Sequence, residues 1–277
     1  MKKPFLSFRV SRLLLAVAAA SAALTACQSV QTTGSGTIGV SRNQYMTSLV
    51  SEAQLNQQAV ALYQKTLADA KSKGQLNTNA AQTQRVKTIS DRLIRQVGAF
   101  RPDAASWAWE VNVITSDEVN AWCMPGGKIA VYSGLINTIK PTDAELAAVI
   151  GHEIAHALRE HSREQASQQV ATQMGLSVLT AITGTQLTND LGSVLSNVMF
   201  ELPNSRGHES EADLIGVELA ARAGYDPRAA VTLWQKMGQL SGGSRNVEWL
   251  STHPSPETRM AELQRAAERV MPLYNQK

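Results

Sequence analysis

Thr142-Asp143-Ala144-Glu145-Leu146-Ala147-Ala148-Val149-Ile150-Gly151-His152-Glu153-Ile154-Ala155-His156 is the stretch from which the rest of the chain is read. Thr142 and Glu145 have capping-box spacing, in which the threonine side chain takes a backbone N–H and the glutamate reaches back to the cap. Leu146, Val149 and Ile150 follow at helical spacing, so a helix begins just after Pro141. His152 and His156 are four apart and share a face of that helix, which lets both imidazoles reach one ion. Glu153 lies one residue on, where its carboxylate meets a water beside the ion rather than the ion itself. Zinc suits such a set, being borderline-soft and tetrahedral with a position left open in catalytic sites. Gly151, Ala155 and Ala157 are small where an ion and a substrate would approach.

A site of this kind needs a third protein ligand. A histidine six residues past His156 is ruled out, because Ser162 stands there. His161 falls roughly 140° round the helix from His156 and reads as a solvated residue. The remaining candidates lie in Arg206-Gly207-His208-Glu209-Ser210-Glu211-Ala212-Asp213. On a helix Glu209 and Asp213 share a face while Glu211 points elsewhere. Glu209 is then a candidate ligand, with Asp213 behind it to take the N–H of a ligand imidazole. A solvated helix face is the plainer account of any one of these acids taken alone.

Working outward, Trp107, Trp109, Val111 and Val113 alternate as one strand. Lys128-Ile129-Ala130-Val131-Tyr132 forms another, reached through the turn Pro125-Gly126-Gly127, and is a candidate edge for an extended peptide. Helices are expected from Tyr45 to about Lys73 and through Val86, Ile89, Leu93 and Val97, ended by Gly74 and Gly98. Gly224 closes a later helix and Asp226-Pro227 opens the next, while Ser255-Pro256 precedes a last helix from Glu257 to Val270. Many helices with strands confined to one stretch give an α+β, mainly helical domain. The segment 165–203 joins the two motifs and carries Gly175, Gly184, Gly192 and an apolar set, Met174, Leu176, Val178 and Leu179. It reads equally as a mobile lid over the site or as a packed helical hairpin.

The amino terminus has a separate logic. Lys2, Lys3, Arg9 and Arg12 precede an apolar run, Leu13 to Ala23, too short to span a bilayer. Leu24-Thr25-Ala26-Cys27 then looks like the lipobox cut ahead of a lipidated cysteine. The expected organisation is a lipoprotein signal over 1–26, Cys27 and a flexible tether over 27–44, and the metal-site domain over 45–277. Gln28 is not the Asp associated with inner-membrane retention, so a lipid anchor on the periplasmic face of the outer membrane is expected. The whole chain has 26 Lys and Arg against 23 Asp and Glu. With the four basic residues of the signal removed the remainder is near neutral, which removes any case for nucleic-acid binding. Cys123 is the one other cysteine and reads as a buried small hydrophobe.

The two motifs are accompanied by Asn120-Ala121-Trp122-Cys123-Met124-Pro125-Gly126-Gly127, Val131-Tyr132-Ser133-Gly134-Leu135 and Ser251-Thr252-His253-Pro254-Ser255-Pro256-Glu257-Thr258-Arg259. Together, over about residues 85 to 265, they resemble the metallopeptidase family that includes HtpX, the CAAX prenyl proteases, BepA and LoiP. The soluble lipidated branch, with LoiP and BepA, fits best. The resemblance implies a zincin-like fold with one zinc on His152, His156 and Glu209, and Glu153 as general base. It places Asp213 in support of the site, and His253 and Arg259 near the metal, steadying an oxyanion or controlling access. It implies hydrolysis of polypeptides, misfolded or envelope proteins among them, at a membrane reached through the lipid. An outer-membrane assembly chaperone with a gated zinc site, working with envelope assembly machinery, is the alternative. Cys123 departs from the small apolar residue the resemblance leads one to expect.

Overall fold

The computed structural model describes residues 27–181, 191–241, 248–253 and 258–276. The signal and the lipobox residues before Cys27, residues 182–190 within the expected lid, and the run Pro254-Ser255-Pro256-Glu257 lie outside the described residues. Among the described residues no helix is long and apolar enough to cross a membrane.

A short hairpin, β1 (Cys27–Val30) against β2 (Gln44–Thr47), opens the described chain. Helix α1 (Glu52–Ser72) starts from a capping box between Ser51 and Gln54, and α2 (Ala80–Ile94) from an Asn79 cap. Three strands follow: β3 (Glu110–Ile114), β4 (Ala121–Met124) and β5 (Lys128–Tyr132). The remainder is helix: α3 (Ser133–Ile139), α4 (Asp143–Leu158), α5 (His161–Ala181), α6 (Leu191–Phe200), α7 (Arg206–Arg222), α8 (Ala229–Ser241), α9 (Glu248–Thr252) and α10 (Arg259–Tyr274). The α+β, mainly helical expectation holds.

The sheet packs between two apolar layers, as alternating side chains dictate. Val113, Ile129 and Val131 face the main core, where Val86, Ile89 and Leu93 of α2 meet Leu146, Ile150 and Ile154 of α4. Met124, Ala130 and Trp122 face a second cluster under α1, built on Leu55, Ala59 and Tyr63. Tyr63 donates its hydroxyl to the Ile129 carbonyl at 2.9 Å and meets the Trp122 ring edge-on.

Four local expectations change. The strand order is β3-β5-β4, with β5 parallel to β3 and antiparallel to β4. Lys128 to Tyr132 is therefore the central strand, its ladder groups taken on both sides, and is not the open edge expected of it. Ala121–Met124, not expected as a strand, is one of the two outer strands. The expected strand from Trp107 begins only at Glu110, because Trp109 is turned to donate its indole N–H to Ala104 O at 2.8 Å and Trp107 stacks on it. The helix expected from Tyr45 begins at Glu52, since Tyr45 is drawn into β2.

Residues 28–44, expected as a free tether, lie against the domain. Gly34 N–H donates to Phe100 O at 2.7 Å, and the N–H groups of Thr37 and Ile38 donate to the Glu218 carboxylate at 3.1 and 2.7 Å. Arg42 reaches two buried carboxylates, Glu164 and Glu211. Buried acids on α5 and α7 need cationic partners, and a polar segment that supplies one is held down despite its composition.

Candidate metal centre

The site is built on two helices whose starts are pinned. Thr142 Oγ1 accepts from Glu145 N–H, and Glu145 Oε2 accepts from Thr142 N–H at 2.8 Å, which is the capping box expected at the head of α4. Lys236 and Thr232 of α8 also donate to the Glu145 carboxylate, at 2.6 and 2.8 Å. From that start, His152 and His156 emerge on one face of α4. Ser205 caps α7 by accepting from His208 N–H at 3.1 Å, which sets Glu209 in the first turn and Asp213 one turn on. The helices cross at Gly151 and Gly216. A Cβ on Gly216 would lie 2.8 Å from His152 N, so backbone meets backbone there. Gly151 is small because α7 approaches it, not because a substrate does.

Donor atoms of His152, His156, Glu209 and His253 lie within 4.8 Å of one another, all buried. The two Nε2 atoms are 3.0 Å apart, and Glu209 places its oxygens 3.3 Å from His156 Nε2 and 3.6 Å from His152 Nε2. Tautomers follow from the network. His152 Nδ1 sits 3.0 Å from Asp213 Oδ1, and a carboxylate only accepts, so Nδ1 carries the proton and Nε2 a lone pair. His253 Nδ1 lies 2.9 Å from Trp249 O, which likewise leaves its Nε2 as a lone pair facing the group. Burial pushes the imidazoles of His152 and His156 well below their usual range and that of His253 down to about 4, so the rings are neutral. Glu209 Oε1 is buried without a hydrogen-bond partner. Lone pairs and a carboxylate oxygen converging on one buried point repel one another unless a cation lies among them, and nitrogen with carboxylate oxygen is the donor set zinc takes.

Glu153 stands beside this group. Its Oε1 accepts the Trp249 indole N–H at 2.6 Å and lies 3.5 Å from His253 Nε2. Burial raises the Glu153 carboxyl well above its usual range, against the pull of that indole, and so makes it a readier proton acceptor. Arg259 Nη1 donates to Glu209 Oε2 at 2.9 Å and Nη2 to Asp213 Oδ1 at 2.7 Å. Its guanidinium is thus occupied in holding the Glu209 and Asp213 carboxylates, which narrows the expectation that it steadies an oxyanion. Cys123 is buried on β4, with its thiol pushed well up by burial, as expected of a core residue.

Two residues escaped the sequence reading. Trp249, fully buried, orients Glu153 from α9, and a lone tryptophan after a polar run carries no signal of that role. His161 is a correction: it is 1% exposed rather than solvated, with Nδ1 2.8 Å from His156 Nδ1 and Nε2 3.0 Å from Glu211 Oε2. The angular count assumed one continuous helix. Glu160 has φ +50° and breaks it, so α5 starts at His161 in a new direction. Beside the donors a cleft is bordered by Ala121, Trp122 and Cys123 of β4, Val198, Met199 and Phe200 of α6, and Thr252. The strand bordering the cleft is β4, so the candidate surface for an extended peptide moves there from Lys128–Tyr132.

The model of Peptidase family M48 matches residues 80–267, well over half the chain. The chain belongs to Peptidase family M48. The M48 match takes in His152, Glu153, His156, Glu209, Asp213, His253 and Arg259, and leaves the hairpin of β1 and β2 outside. Mitochondrial metalloendopeptidase OMA1 of Arabidopsis thaliana is 43% identical over 159 residues, covering 57% of this chain and 32% of that protein. Metalloendopeptidase OMA1 of Bos taurus is 38% identical over 192 residues, 65% of this chain and 36% of its own length. The beta-barrel assembly-enhancing protease of Escherichia coli (strain K12) is 30% identical over 206 residues, 70% of this chain and 40% of the relative. The chain thus spans between about a third and two fifths of the length of these relatives.

Proposed function

We propose that this M48 chain is a zinc metalloendopeptidase that hydrolyses polypeptides in a bacterial envelope, held by a lipid on Cys27 at the periplasmic face of the outer membrane. The observation that carries the reading is the convergence of His152, His156 and Glu209 on one point with Glu153 beside it. Zinc bound there supplies a Lewis acid for the scissile carbonyl and lowers the pKa of water at the site. Glu153 takes the proton of the attacking water and passes it to the leaving amine. Trp249 holds that carboxylate in place, Asp213 holds His152, and Arg259 holds Glu209. An extended substrate lies along β4, its side chains meeting the apolar wall of α6. Misfolded or envelope proteins suit such a cleft as substrates, and the name of the beta-barrel assembly-enhancing protease supports an envelope role. The purified chain should carry about one zinc and digest casein in a chelator-sensitive way. Glu153→Gln should keep the zinc and lose activity by about 10²–10⁴-fold. Wild-type turnover in that variant would refute the mechanism. For the anchor, Cys27→Ala should no longer take up labelled palmitate, and continued labelling would remove it.

A second reading is favoured by His253, whose Nε2 completes a set of four donors. Four protein ligands leave a tetrahedral ion no open position. In that reading the site rests closed and the chain serves as an assembly chaperone until the α9 turn withdraws. His253→Ala separates the two readings: activity falls if His253 supports the reaction and rises if it closes the site.

A further inference from the structure

His152 and His156 are held at Nδ1 by different means. A carboxylate, Asp213, takes the proton of His152 directly. His156 Nδ1 faces another imidazole, His161 Nδ1, at 2.8 Å. The far nitrogen of His161 settles which ring donates. Its Nε2 is 3.0 Å from Glu211 Oε2, and since a carboxylate only accepts, the Nε2 proton is on His161. Glu211 already takes two guanidinium groups, Arg159 at 3.0 and 3.1 Å and Arg42 at 2.9 and 3.1 Å, so its bond to His161 is to a neutral ring. A neutral His161 protonated at Nε2 has a lone pair at Nδ1. His156 must then donate from Nδ1, which leaves its Nε2 free as a ligand atom. The reverse arrangement would put a proton where the metal belongs.

We propose that His161 is a positioning residue for the metal: backed by Glu211, and through Glu211 by Arg42, it fixes the tautomer and ring angle of His156. The inference rests on the metallopeptidase reading of the site. The ring is held on its other face as well, stacked on His208 with centroids 4.3 Å apart and planes at 13°. His208 is fixed in turn by Glu164 at 3.1 Å, and Arg42 binds Glu164 too. Arg42 lies outside the residues that the family model matches. The segment before β2 therefore adds to the metal site a support that the matched domain does not contain.

The test is zinc affinity by chelator competition on the full chain, together with the His156 tautomer read from long-range ¹H–¹⁵N spectra of the zinc-loaded protein. His161→Leu removes the acceptor and should weaken zinc about 10–100-fold, the usual effect of losing a partner behind a ligand. His161→Gln should restore most of that affinity, because the O–C–N edge of the amide reproduces the N–C–N edge of the imidazole. Arg42→Ala should weaken zinc by about 2–30-fold, the range for a residue that acts through others. Zinc-loaded wild type should show His156 protonated at Nδ1 and ligating through Nε2. Unchanged affinity in His161→Leu, failure of His161→Gln to restore it, or ligation of His156 through Nδ1 would overturn the proposal. The last reading needs no variant and stands even if His161→Leu fails to fold. Absence of zinc from wild type, or full affinity in Glu209→Gln, would instead refute the metal site itself.

Discussion

Arg259 is 1% exposed and lies between Glu209 and Asp213, with its guanidinium 3.5 Å over the Trp234 ring. Burial pushes Asp213 up to about 7, while Arg259 pulls it down. Without the guanidinium the carboxyl would rise further and hold its proton, and a protonated Asp213 no longer compels His152 to keep its proton at Nδ1. Arg259→Ala should therefore act twice. It should cost about 3–5 kcal/mol of stability, as breaking one side of a buried ion pair does. It should also weaken zinc, and Arg259→Lys should repair it only in part, because one ammonium cannot reproduce the fork. Denaturant midpoints and chelator competition check both effects. That Arg259 lies near the metal was implied by the resemblance, but its burial and its partners became visible only when α10 was set against α7.

Among the elements, α4 was the most legible and its crossing with α7 the least. Its start is local chemistry, a cap and the residue three further on, which a sequence shows directly. Glu145 adds a pH signature. Burial acts to raise its carboxyl, yet hydrogen bonds from Lys236, Thr142 N–H and Thr232 leave it below the ordinary 4.5. A group with a depressed folded value contributes stability that is present above the unfolded value and lost as pH falls through the folded one. Glu145→Gln should thus cost about 1 kcal/mol at pH 7, with the gap to wild type closing below about pH 4.5. Urea titrations at the two pH values measure it. The crossing is a matter of two glycines from distant motifs. Gly216→Ala would set a Cβ 2.8 Å from His152 N and 3.0 Å from Gly151 C, both backbone atoms that cannot swing aside. It should destabilise by about 1–3 kcal/mol and spread the ligands, lowering zinc affinity; affinity and melting temperature both equal to wild type would contradict the crossing.

For the whole molecule, the site ties together parts far apart in the chain: α4, the start of α7 and the turn after α9. A cation bound only by the folded state stabilises it by about 2.7 kcal/mol at a hundredfold excess over Kd. Chelation should then lower the melting temperature of the wild type clearly and that of Glu209→Gln little, as scanning calorimetry would show. The amino-terminal segment belongs to this scale as well. Its Gln, Ser and Thr content reads as a tether, and so it would be without the buried acids of α5 and α7, which no local composition announces.

From the sequence alone came what depends on neighbours a few residues apart: the cap of α4, the shared face of His152 and His156, the place of Glu153, the buried positions of α2 and the mainly helical class. Hydrogen bonding at a helix end and the 3.6-residue turn act over those distances and leave a readable pattern. The motif resemblance favoured Glu209 and Asp213, already candidates from their shared helix face, and added His253 and Arg259; the fold brings all four to the centre. Only the tertiary structure decided the order of the strands, which put β5 in the middle and β4 beside the cleft. It alone turned His161 inward and brought Trp249 to Glu153. Strand pairing partners, a helix broken at one left-handed residue and the convergence of distant side chains are set by packing among elements, and packing has no fixed spacing in the sequence to betray it.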